Sequence, residues 1–231
     1  MKRALRYAAW LAVAAAGAFL ALQLSYLARV WWWKDHDPRM TAFMGERLAE
    51  LRRQDPAAKL RQQWVPYDRI SASLKRAVVV AEDSRFVDHE GFDWEAIEQA
   101  REKNLRRGRV VAGGSTISQQ LAKNLFLSAS RTPWRKGEEA LITVMIEHVM
   151  DKRRILEIYL NVIEWGDDVF GAEAAARHYF GVSAAALGPE DSARLAAMVP
   201  NPRFYDRHRS TRWLERRTQT ILARMPAAEL P

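Results

Sequence analysis

The chain has 231 residues, 48% of them hydrophobic, no cysteine, and a formal net charge of +8. That length allows one substantial core and excludes two large domains, while the lack of cysteine excludes a disulfide framework and a thiolate metal site. The surplus charge lies at the ends, where residues 1–30 carry Lys2, Arg3, Arg6 and Arg29 with no acid, and residues 203–231 carry seven arginines against three acids; this is a poor footprint for a nucleic-acid groove and a natural one for anionic lipid head groups.

Residues 7–28 form a run of 22 without a charge. As a helix it would span ~33 Å, enough for the hydrocarbon core of a bilayer. Three cations precede the run and mixed charges follow it, so the positive-inside bias predicts a cytoplasmic tail at 1–6, a membrane helix at 7–30 and everything from about residue 35 outside. Trp31, Trp32 and Trp33 would then form an aromatic belt at the outer boundary. Small residues at 14–17 offer the alternative of a cleaved signal peptide, but the apolar run continues well past them and favours an uncleaved anchor.

Residues 31–63 read as an interfacial segment and linker helix, with Phe43, Met44, Leu48 and Leu51 at helical spacing. Beyond them helix punctuation is frequent and strand alternation rare, which predicts a mostly α domain. Thr116 is placed to cap a helix with Gln119 as its capping-box partner, and Ile117, Leu121 and Leu125 supply an apolar stripe. A helical pattern covers about 138–159, and another starts at Pro189 and stops before the Pro200-Asn201-Pro202 run.

Three stretches concentrate reactive side chains. The first, 82–91, places Glu82, Asp83, Phe86, His89 and Gly91 after the apolar segment 77–81. A carboxylate leaving a buried segment can face a cleft, where desolvation makes it a better base, although the same residues also suit a solvated turn. In the second, glycines 113 and 114 and Ser115 lead into the capped helix, an arrangement whose free N–H groups suit a phosphate. Thr116, Gln120, Lys123 and Asn124 fall together on that helix, turned away from the apolar stripe; an ordinary amphipathic helix would look the same. The third stretch has Arg131, Arg135, Lys136 and Glu139, of which the last three share a helical face, fit either to hold a diphosphate or merely to pair at a surface. Leu125, Phe126, Leu127 and Trp134 beside them read equally as core or as a shallow membrane contact. His89, His148 and His178 are too scattered for zinc.

In this order the segments resemble the peptidoglycan glycosyltransferase family over about 64–205. Its first motif stands as Glu82, Asp83, Phe86, His89 and Gly91; its second spans 113–124; its third is Arg135, Lys136 and Glu139; its fourth is 155–161. One departure is Asp168, where many relatives carry glycine; Asp tolerates left-handed turn geometry better than most residues. The Ser-x-x-Lys and Lys-Thr-Gly signatures of a transpeptidase do not occur, so the monofunctional form is the closer match.

The resemblance implies a lysozyme-like, two-lobed domain over 64–205, followed by a basic tail at 206–231. It implies polymerisation of lipid II on the outer face of the bacterial inner membrane with release of undecaprenyl diphosphate. Glu82 and Glu139 would be catalytic, with Asp83, Phe86, His89, Ser115, Thr116, Gln120, Lys123, Asn124, Arg131, Arg135 and Lys136 binding substrate or diphosphate. The expected partners are lipid II, the growing glycan, membrane lipids and cell-wall or division synthases, with no nucleic acid. No cofactor is strictly required, though a divalent Mg or Mn ion at the diphosphate fits the chemistry. A lytic transglycosylase and an inactive membrane-tethered scaffold are the rival readings.

Overall fold

A computed structural model describes residues 2–109, 111, 113–127 and 132–231. Arg131 therefore lies outside the described residues. Those residues include eleven α-helices, three single-turn 3-10 helices and three short strands, in agreement with the expected mostly α domain.

The first helix, α1 (Lys2–Trp33), contains the charge-free run, and over Leu5–Trp33 it is long and apolar enough to cross a membrane. Most of its side chains are exposed, but Gln23, Tyr26 and Val30, which recur every three or four residues, are buried. That face meets the rest of the chain. Tyr26 and Trp33 set their rings, tilted, at 5.0 and 5.2 Å from that of Phe126, Arg29 lies over the same ring, and Phe19 meets Trp134 at 6.0 Å. Arg154 clamps the end of the helix by donating from Nε to the Trp33 carbonyl at 3.0 Å. Of the expected tryptophan belt, Trp31 and Trp32 are exposed and Trp33 is packed.

Thr41 caps α2 (Ala42–Arg52), and the chain then passes through β1 (Arg61–Gln62) to α3 (Ala72–Glu82), whose cap is Ser71. Leu74, Ala77, Val78 and Val79 bury one face of α3, as the apolar 77–81 run predicts. Asp93 caps α4 (Trp94–Arg107), and Gly108 in left-handed conformation closes it. The capping box read from Thr116 and Gln119 is formed at the start of α5 (Ile117–Phe126).

The helical pattern over 138–159 is not one helix. It divides into α6 (Pro133–Val149) and α7 (Lys152–Val162), because the Asp151 side chain accepts from the Arg154 N–H and caps a new helix. The apolar spacing carries across the break and conceals it. Next come β2 (Glu164–Gly166) and β3 (Val169–Phe170), which complete a sheet of order β1-β3-β2 with β1 parallel and β2 antiparallel to β3. Asp168, at φ 62°, makes the turn between β2 and β3 in the left-handed conformation its residue type allows, and Arg61 grips its carboxylate.

Helices α8 (Ala172–Phe180), α9 (Pro189–Met198), α10 (Pro202–Arg207) and α11 (Arg212–Arg224) follow. The 206–231 stretch, expected as a basic tail, is packed: α11 buries Leu214, Thr218 and Ile221 against α9 and α3 while Arg212, Arg216 and Arg224 are exposed and Arg217 turns inward. Each buried Leu or Ile contributes about 1.5–3 kcal/mol, enough to hold an arginine-rich helix in place. The helices thus gather into two groups, α3 with α9 and α11, and α5 with α1, α2, α6 and α7 through a chain of contacts.

Candidate active site

The two groups meet where α3 ends. Glu82, the last residue of α3, accepts a hydrogen bond from Gln120 Nε2 on α5 at 2.9 Å. Gln120 is itself oriented, because the Tyr159 hydroxyl on α7 donates to its Oε1 at 2.9 Å. Burial pushes the Glu82 carboxyl above its ordinary value; the Gln120 bond and the charges of Arg217 and Lys123 pull it back, and Asp83 adds to the rise. A carboxylate held so is a stronger base than a solvated one. Burial likewise raises the Tyr159 phenol well above its normal range, which keeps it a donor.

Asp83 points the other way, into the protein. Its Oδ2 accepts the Ile117 N–H at 3.0 Å and so satisfies the start of α5, and its Oδ1 lies 2.9 Å from His89 Nε2. The Gly91 N–H donates to His89 Nδ1, which leaves the ring proton on the nitrogen that faces Asp83. Thr116 Oγ1 donates to the Gly91 carbonyl at 2.7 Å. Phe86 is fully buried with its ring edge-on to the His89 ring. Asp83, Phe86, His89 and Thr116 thus form a buried brace that fixes the α3 terminus to the α5 terminus. Gly91, at φ 90°, has no room for a side chain, since a Cβ would stand 2.8 Å from Thr143 Cγ2.

Beside Gln120, the partner of Glu82, a cavity of about 300 Å³ is lined by Ser115, Gln120, Lys123, Arg135, Lys136 and Glu139 among others. Glu139 is buried on α6, accepts from Arg135 Nη1 at 2.8 Å with one oxygen and from Lys136 with the other, and so confirms the shared face. Lys123 makes no ion pair among the described residues; burial depresses its ammonium pKa, Glu139 and Glu82 raise it, and Arg135 and Lys136 lower it. This is a pocket of three cations around one acid, short of negative charge. A second cavity of about 300 Å³ continues past Lys123 and Asn124 to Arg47, Asn201 and Arg203.

The site residues read from the sequence therefore separate. Ser115, Gln120, Lys123, Asn124, Arg135, Lys136 and Glu139 border the cleft; Glu82 is tied to it through Gln120 and itself faces a smaller hollow shared with Asp83, Ser115 and Thr116, while Phe86 and His89 lie behind. Leu125, Phe126 and Leu127 are core, and only Trp134 of that apolar group is exposed.

Three contributors were not read from the sequence. Tyr159 lies within the fourth motif, 155–161, which assigned it no role of its own. Arg217 donates to the Ala81 carbonyl at 2.9 Å beside Glu82 from what read as a tail, and Phe43 lines both cavities from what read as a linker. Among the described residues no group of three or more His, Asp or Glu is arranged to hold a metal ion.

The family model described as Transglycosylase matches residues 45–226. The chain is 63% identical to a biosynthetic peptidoglycan transglycosylase of Chromobacterium violaceum, over 93% of this chain and 94% of that one. It is 64% identical to a protein of the same name from Dechloromonas aromatica, over 93% of each, and 57% identical to another from a Janthinobacterium species, over 96% of each.

Proposed function

The chain belongs to the transglycosylase family, and we propose that it is a peptidoglycan glycosyltransferase joining lipid-linked disaccharides into β-1,4-linked strands with Glu82 as general base. The family's domain is lysozyme-like, and the two helical groups with a cleft between them fit that description. The observation that carries the reading is Glu82 itself, desolvated and aimed by Gln120 beside a cavity where Lys123, Arg135 and Lys136 supply positive charge.

The acceptor is the sugar 4-hydroxyl of lipid II, and the donor is a glycan joined at its anomeric carbon to undecaprenyl diphosphate. Glu82 takes the hydroxyl proton as the oxygen bonds to that carbon from the face opposite the diphosphate. The carbon–oxygen bond to the diphosphate breaks, its electron pair leaves with the diphosphate, and configuration inverts. Lys123, Arg135 and Lys136 offset the charge that builds on the departing group, an effect that is strong in a partly dry site. Glu139 sets the positions of Arg135 and Lys136.

The donor set does not fit a resident divalent ion. Both Glu139 oxygens already face cations, so an ion there would displace them, and charge neutralisation falls to the basic side chains. We infer that α1 is a membrane anchor; Lys2, Arg3 and Arg6 at its start favour a cytoplasmic N-terminus, with the catalytic domain on the outer side of the inner membrane.

The test is a polymerisation assay with labelled lipid II. The full chain should yield glycan strands, Glu82→Gln should lower the rate by roughly 10²–10⁴-fold with unfolding unchanged, and purified sacculi should release no muropeptides. Near-normal strands from that variant, or release of muropeptides without polymerisation, would sink the assignment.

A further inference from the structure

A third cavity, of about 700 Å³, lies between α4 and the segment 113–116. Its size is within the ~300–1,000 Å³ range of small-molecule sites, and its character differs from the cleft. Ile97, Ala100 and Leu105 give it an apolar lining, and Arg101, Arg109 and Lys136 stand among its walls. At one edge Gly114 lies directly on α4, where a Cβ would come within 2.8 Å of the Ile97 Cα.

The groove does not stand apart from the active site. Ser115, Gln119 and Lys136 line both it and the cation-rich cavity, so the two are neighbours across one wall of side chains. It is also near the anchor, since Trp134, two residues before Lys136, is exposed and its ring meets Phe19 of the membrane-crossing helix. Apolar groups continue outward from it, with Leu105 71% exposed and Val111 41% exposed. In water such a border is unfavourable; beside a lipid chain it is not.

We propose that this groove receives the first isoprene units of the lipid chain borne by the diphosphate substrate. The inference rests on the glycosyltransferase reading and deepens it. A lipid diphosphate turns from strongly anionic to fully apolar within one ester bond, and the structure repeats that order: three cations around Glu139, then Lys136 as the shared post, then an apolar trough. The groove reads the tail, and the cations read the head.

The experiment uses the full chain in detergent, with disaccharide diphosphates bearing either a long isoprenoid or a methyl ester in its place. Ala100→Trp, which fills the groove, should lower kcat/KM for the isoprenoid substrate by about tenfold or more and leave activity on the methyl-ester substrate unchanged, with Ala100→Ser as a silent control. Equal loss on both substrates, or none, overturns the proposal. A second measurement needs no variant. An isoprenoid diphosphate carrying a diazirine near its head should label α4 and residues 113–119 of the unsubstituted protein. Labels confined to α1 and α6, or a diazirine phospholipid labelling the groove without being displaced by isoprenoid diphosphate, overturn it. Should the unsubstituted chain make no glycan at all, the glycosyltransferase reading fails, and labelling still reports on the groove by itself.

Discussion

Tyr159 decides which way round the Gln120 amide stands: its hydroxyl donates to Oε1, so Nε2 is the end that faces Glu82. A phenol that burial keeps protonated serves this purpose without competing for protons. Tyr159→Phe removes only that instruction. Polymerisation should fall by roughly ten- to a hundredfold, the worth of a hydrogen bond to a charged group, in kcat more than KM. A change of KM alone would show that Tyr159 acts on binding.

The rate should also depend on pH in a definite direction. Glu82 must be ionised to accept a proton, and burial raises its pKa, so the acid limb of kcat/KM lies above the ordinary carboxylate value. Gln120→Leu withdraws a bond that favours the ionised form. The limb should therefore move to still higher pH, and Lys123→Met should move it the same way by removing a nearby positive charge. A limb that stays fixed in both variants would separate Glu82 from the titration.

At the other end of the cavity, Glu139 is buried with both oxygens committed to Arg135 and Lys136. Glu139→Gln leaves the fold's shape but releases one cation from its place. We expect a loss of roughly 10²-fold in kcat, the order seen when a charge-stabilising contact is misplaced. Added Mg or Mn should not restore it, because the missing function is the placement of cations. Steady-state rates with and without the metal check this.

The brace behind the cleft carries stability as well as geometry. Asp83→Ala strips the Ile117 N–H and His89 of their partner in a buried site, which should cost about 2–4 kcal/mol. Gly91→Ala should cost a similar ~2–4 kcal/mol through left-handed strain and the contact with Thr143. Denaturant unfolding of the full chain in detergent measures both.

What was legible in the sequence was what is local. The Thr116 capping box, the shared face of Arg135, Lys136 and Glu139, and the left-handed tolerance of Asp168 each depend on residues a few positions apart, and each appears in the structure. What was missed depends on distant partners or on one residue overruling a pattern. Asp151 ends a helix that the apolar period would continue, and α11 is held by three buried side chains in a stretch dominated by arginine. Tyr159 meets Gln120 across 39 positions, a relation that no spacing rule can reveal.

The grip of Gln23, Tyr26 and Val30 on the catalytic domain lies within α1, upstream of the turn that follows Trp33. The helix is accordingly a mount and not a leash. Adding flexible residues between 34 and 41 would leave the cleft at the same stand-off from the bilayer, with no freedom to swing. On the proposed function, such a fixed head would meet each lipid-borne substrate at one constant height.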